Sequence, residues 1–119
     1  MMIRGVRGAI TARRNEEQEV IYTTERLLKE MITSNQMDPE QVASIFISAT
    51  DDIDAAFPAK ALRNLDGWTY VPVMCMKELA VSGSLPMCIR VMIHFQTDEK
   101  QHEIKHIYLE GAAGLRPDL

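Results

Sequence analysis

A chain of 119 residues is the size of one domain, residues 1–119, and a content of 46% hydrophobic and 25% charged residues excludes a disordered chain in favour of one that folds around a core. The formal charge of −4 and pI of about 5.3 argue against a nucleic-acid partner, which needs a basic face to track phosphates. Within that acidic total, residues 1–14 carry Arg4, Arg7, Arg13 and Arg14 and no carboxylate, which suits a local site for a small carboxylate.

Cys75 and Cys88 match no zinc or CxxC spacing and read as two free thiols in a reducing compartment. The amino terminus has no signal-peptide apolar block, and the longest apolar run, Val71 to Met76, is far too short to span a bilayer. The expectation is a cytoplasmic protein with no membrane partner.

Ile3 to Ile10 is short and partly β-branched and reads as an opening strand, with Arg4 and Arg7 on opposite faces. Asn15 followed by Gln18 resembles a capping box, and Val20, Ile21, Leu27, Leu28, Met31 and Ile32 then recur at helical spacing, so the main helix ends near Asn35. Asp38-Pro39-Glu40-Gln41 repeats a start signal and gives one short helical turn. Ala43 to Ala49 is apolar enough for a buried strand, and Asp51, Asp52 and Asp54 form the polar loop after it.

Phe57 to Arg63 reads as a second helix, stopped by Gly67, with Lys60 and Arg63 on one face. Tyr70 to Val73 reads as a strand, placed at an edge or bulge by Pro72, and Ser82-Gly83-Ser84 as a turn. Met87 to Phe95 is the most strand-like segment, and Ile104 to Glu110 alternates with His106 and Tyr108 on one face. The tail from Gly111 onward reads as flexible. The fold class is therefore α+β, close to α/β: a mixed β-sheet with one main helix and short helices on one face. Little helix is left for the other face, which favours a symmetric oligomer.

Arg90 is the most informative residue, because an always-charged guanidinium inside an apolar strand requires a carboxylate or a bound anion. A paired interface arginine satisfies that requirement as well as an anion site does. Glu78 lies three residues after Cys75, so in a turn both could face one site; by composition alone, Cys75 beside Met74 and Met76 belongs to the core and Glu78 to the surface. Tyr108 reads equally as a core ring, and Lys60, Arg63 and Arg7 as surface charges. His94, His102 and His106 show no metal spacing, and no phosphate loop, nucleophile elbow or paired-cysteine metal motif is present.

Read together, IRGVRGA, SATDD followed by FPAKALR, GWTYVPV, MCMKEL, MCIRVMIHFQTD, HIYLEGA and LRPDL resemble the small trimeric chorismate mutases of the AroH class, over essentially the whole chain. That resemblance implies an isomerase of the shikimate pathway, on the route to phenylalanine and tyrosine. It converts chorismate to prephenate by a [3,3] rearrangement without cofactor, metal or covalent intermediate. It implies a homotrimer in which mixed sheets pack around the threefold axis as a pseudo-barrel, with sites in clefts between subunits.

Carried onto this sequence, the resemblance makes Arg90 the donor to the ether oxygen and has Arg7 and Tyr108 hold the side-chain carboxylate. Glu78 and Cys75 bind the ring hydroxyl, with Glu78 also near the electron-poor ring carbons. Arg63, with Lys60 and Arg116, supplies positive charge toward the ring carboxylate, Phe57 and Leu115 help close the pocket, and Val73 and Met74 line it. Two places depart from the family pattern: Met74 stands where a small hydroxyl residue is expected, and the sequence ends at Leu119 where a longer tail is expected. These two departures would fit a second reading, a trimeric protein of the same fold that holds a small carboxylate or regulates without turnover.

Overall fold

The structure is a computed structural model and describes residues 1–116. Its centre is a five-stranded mixed sheet made of β1 (Met2–Thr11), β2 (Val42–Ala49), β3 (Val73–Lys77), β4 (Cys88–Thr97) and β5 (Ile107–Tyr108), in the order β3-β2-β4-β1-β5. β4 runs antiparallel to both β1 and β2, while the edge strands β3 and β5 pair in parallel with β2 and β1.

One long helix, α1 (Glu17–Asn35), covers one face of this sheet. Val20, Thr24, Leu27, Leu28 and Met31 recur at three- and four-residue spacing and are buried, which is the single apolar stripe that such packing requires. They meet strand residues of one parity, Val6, Ile10, Ile45, Ile47, Ile89 and Ile93, in one cluster. Burying each such side chain stabilises the fold by about 1.5–3 kcal/mol. Gly8 lets the helix come this close, since a Cβ there would lie 2.5 Å from the Met31 sulfur and 3.1 Å from Leu27 Cδ1. Gln36, in the left-handed region at φ 51°, ends the helix.

Residues of the other parity point away from α1. Ile3 and Arg7 of β1, Phe46 and Ser48 of β2, Met74 and Met76 of β3, and Arg90 and Met92 of β4 share this face, which α1 does not cover and where the 3₁₀ turn Glu110–Gly114 packs Ala112 against Ala9 and Cys88 at one end only. Met74 is 62% and Met76 46% exposed. The unpartnered sheet face expected from the shortage of helix is present. No helix of the described residues is long and apolar enough to cross a membrane.

Several local expectations need correction. The helix N-cap is Glu16 with no side-chain cap, so Asn15 and Gln18 form no capping box; the Asn15 side chain is engaged by the loop after β2 instead. The segment read as a second helix is a 3₁₀ turn, Pro58–Asn64, in which residues three apart eclipse, so Lys60 and Arg63 still share a face. The edge strand begins where the Tyr70 to Val73 reading ended: Pro72 has no N–H to give a ladder, and pairing starts at Val73 opposite Ile45. The last strand contracts to two residues because the Asn35 side chain takes the Lys105 N–H and C=O before it and Glu110, at φ 52°, turns the chain away after it. The tail begins as a 3₁₀ turn, Glu110–Gly114, with Ala112 buried, and Pro117 to Leu119 of the LRPDL block lie outside the described residues.

Candidate active site

The polar end of the uncovered sheet face is built by register. β4 sets Arg90 opposite Ser48 of β2 and Ala9 of β1, so its guanidinium leaves the sheet on the open side at 43% exposure. Glu78 follows β3, continuing its pairing through a backbone hydrogen bond to Ala49 O of 3.1 Å. Arg90 Nε donates to Glu78 Oε2 at 2.8 Å, and Ser48 Oγ donates to the same oxygen at 3.1 Å. The other carboxylate oxygen accepts the Leu79 backbone N–H at 3.2 Å. The carboxylate is therefore held in one orientation against the arginine.

These residues border a cleft of about 540 Å³, completed by Arg7, Tyr108, Leu115 and Arg116. Among the described residues that border it are Arg7, Arg90 and Arg116 and one carboxylate, Glu78, a lining suited to an anionic ligand. Tyr108 reaches the cleft because β5 pairs it with Ala9, two residues from Arg7. On the edge of β1, the Arg7 backbone N–H donates to His106 Nδ1 at 3.0 Å. Burial, and then the Arg7 and Arg116 charges, push His106 below the ordinary histidine range.

The remaining predicted residues gather elsewhere. Phe57, Lys60, Arg63, Val73 and Cys75 line a second cavity of about 560 Å³ between the 58–64 turn and β3. Phe57, Lys60 and Cys75 also border a cleft of about 750 Å³ against the loop after β2. Phe57 is 70% exposed, and Lys60 Nζ lies 3.6 Å from Glu17 Oε2 of α1. Asn15 fixes the loop that delivers Phe57, accepting the N–H groups of Asp54 and Ala55 at 3.0 Å each and donating to Asp54 Oδ1 at 2.6 Å.

The predicted site thus falls into two groups on one chain. Arg7, Glu78, Arg90, Tyr108, Leu115 and Arg116 are brought together, and so are Phe57, Lys60, Arg63, Val73 and Cys75. Cys75 and Glu78 do not share a cleft within the chain, because strand alternation turns Cys75 toward the core side of β3. Met74 lies on the open face and borders neither cavity.

Sequence reasoning passed over four supporting residues. Ser48 was hidden in a segment read as uniformly buried, although Ser44 and Ser48 at even spacing mark its polar face. Asn15 was read as a helix cap and His106 only as a non-ligand. Asp52 was read as loop, yet its carboxylate accepts the Met87 N–H at 2.9 and 3.1 Å and the Thr50 hydroxyl, while Thr50 Oγ1 accepts the Cys88 N–H at 3.0 Å. This knot holds Met87 at φ 52° and fixes the start of β4 just before Arg90. The Thr50 hydroxyl bond, aided by the Met87 N–H, holds the Asp52 carboxyl below its usual range, and burial pushes the Cys88 thiol up. Among the described residues no three His, Cys, Asp or Glu side chains converge as a metal site.

Residues 3–119 match the family model described as chorismate mutase type I. The chain is 53% identical over 119 residues to chorismate mutase AroH of Bacillus subtilis (strain 168), covering 100% of this chain and 94% of that protein. It is 40% identical to chorismate mutase AroH of Thermus thermophilus, covering 99% and 97%. A solved chorismate mutase from Clostridium thermocellum superposes with a TM-score of 0.88 at 48% identity, covering 92% of this chain and 96% of the other. With a family match over nearly its whole length, two relatives above 40% or at it, and the same fold, this chain belongs to the chorismate mutase type I family.

Proposed function

We propose that this chorismate mutase rearranges chorismate to prephenate in clefts where the Arg7–Arg90 group of one subunit meets the Phe57–Cys75 group of the next, in a homotrimer of one domain per subunit. The observation that carries the proposal is the Glu78–Arg90 pair, 2.8 Å apart, in one cleft with Arg7 and Tyr108. The division of the remaining residues onto a separate surface supports a site completed by a neighbour. The exposed Met74 and Met76 supply apolar surface for a second sheet.

The reaction breaks one carbon–oxygen bond and makes one carbon–carbon bond within a single molecule. It exchanges no electron, group or proton with any other molecule, so catalysis consists of folding the substrate and stabilising charge. Arg7 and Tyr108 hold the side-chain carboxylate, while Arg63, Lys60 and Arg116 draw the ring carboxylate. Together they select the folded conformer in which the two carbons meet.

Negative charge then grows on the ether oxygen. Arg90 meets it with the terminal N–H groups of its guanidinium, since Nε is occupied by Glu78. A fixed donor of this kind is worth about 10²–10³ in rate. Glu78 lies on the side of the ring carbons that lose electron density, so the pair opposes the charge separation of the transition state. Cys75 and Glu78, from different subunits, take the ring hydroxyl, and Phe57, Leu115, Val73 and Met74 exclude water. The free thiols of Cys75 and Cys88 fit a reducing compartment, and the proposed location is the cytoplasm.

The test is to add purified protein to chorismate in the presence of a chelator and without cofactor, following loss of chorismate absorbance and identifying the product. Saturable conversion to prephenate is expected. Binding without conversion by a folded trimer would overturn the assignment in favour of a carboxylate-binding protein.

A further inference from the structure

We propose that His106 is a positioning residue for this site: as a neutral ring protonated on Nε2, it accepts the Arg7 backbone N–H on Nδ1 and so fixes Arg7 and Tyr108 relative to one another. The inference rests on the reading of Arg7 and Tyr108 given above.

β5 is too short to finish the edge of β1. Its two residues pair with Gly8 and Ala9, and the Leu109 N–H donates to Ala9 O at 2.9 Å. The Arg7 N–H points to the same edge but meets no strand carbonyl there; the His106 ring takes its place at 3.0 Å. The residue before the ring is anchored from α1. Asn35 Oδ1 accepts the Lys105 N–H and Asn35 Nδ2 donates to Lys105 O, both at 2.9 Å. One helix side chain therefore sets the residue before His106, His106 sets Arg7, and Tyr108 follows two residues later into the same cleft.

The protonation state follows from the contact. An N–H donor needs a lone pair opposite it, so Nδ1 is bare and the proton of the neutral ring sits on Nε2. Burial opposes protonation of the ring most, and among the described residues the charges of Arg7 from β1 and Arg116 from the C-terminal segment add to it. A doubly protonated ring would set a donor against a donor and place a third positive charge beside two guanidinium groups.

The experiment compares kcat and KM across pH for the wild type, His106→Asn, His106→Leu and Arg7→Ala. Asparagine offers Oδ1 near the position of Nδ1 and does not titrate. His106→Asn is expected to stay within about threefold of wild type near pH 7.5 and to show a flatter acid limb, and His106→Leu to raise KM about tenfold or more. A wild-type KM and acid limb in His106→Leu, with Arg7→Ala impaired, would overturn the role of His106. An Arg7→Ala variant with full activity would instead overturn the site reading beneath it. Nitrogen NMR of the wild-type trimer gives a readout that needs no variant: an unprotonated Nδ1 with a protonated Nε2 at neutral pH is expected, and the opposite tautomer or a cationic ring refutes the proposal.

Discussion

Glu78 grips Arg90 through Nε, the innermost guanidinium nitrogen, at 2.8 Å, and is itself held by Ser48 at 3.1 Å. Glu78 thus engages the arginine without its two terminal nitrogens, and the residue borders the cleft with Arg7 and Tyr108. A lysine has a single point of charge and cannot both pair with Glu78 and offer the second donor proposed for the ether oxygen. Arg90→Lys is expected to keep its circular dichroism and its native mass in solution and to lose about 10²–10³ in kcat. Turnover near that of the wild type would refute the role of Arg90.

Ser48 tests whether the orientation of Glu78 contributes. Ser48→Ala removes one hydrogen bond worth about 0.5–1.5 kcal/mol, which corresponds to a drop of about 2–10-fold in kcat if it acts on the transition state. A change confined to KM would mean that Ser48 serves binding only.

Gly8 tests the packing beneath Arg7. A Cβ at this position meets Met31 and Leu27, and the sulfur 2.5 Å away must move. Gly8→Ala is expected to destabilise the fold by about 1–3 kcal/mol, read by thermal or denaturant unfolding. An unchanged midpoint would show that the helix can retreat from the sheet freely.

Asp52 gives a pH signature. Its carboxyl is held below the usual range by the Thr50 hydroxyl and the Met87 N–H, so the native state favours the charged form. That contribution is fully present above the unfolded pKa of about 3.9 and is lost as pH falls through the lower folded value. Asp52→Asn is expected to lower the melting temperature at neutral pH and to flatten its decline below about pH 4. Parallel curves for variant and wild type would contradict the knot.

The helix stripe of Val20, Leu27, Leu28 and Met31 and the strands around Ile10, Ile47 and Ile93 were legible because apolar spacing reports which side faces the core. The α+β sheet with one uncovered face followed from them. The start of β3 was not legible, because it depends on the register opposite Ile45 and not on local preference. Asn15 misled for a related reason: its side chain satisfies loop N–H groups at Asp54 and Ala55 that only the tertiary fold brings near. Arg90 stood out as a charge in an apolar strand, but its partner Glu78 lies on another strand's exit, and only the sheet order β3-β2-β4 makes them neighbours across Ser48. The wider site assignment came from the family resemblance, and spacing alone carried none of it.

The central claim is that two half-sites on different chains make one active site. It is tested by unfolding and refolding a mixture of Arg90→Ala and Arg63→Ala chains, at a substrate concentration where each is strongly impaired alone, and measuring chorismate conversion. In every mixed trimer one of the three interfaces joins an intact Arg90 to an intact Arg63, so an equal mixture should recover roughly a quarter of wild-type activity. No recovery from properly mixed trimers would mean that each site lies within a single chain and would contradict the account.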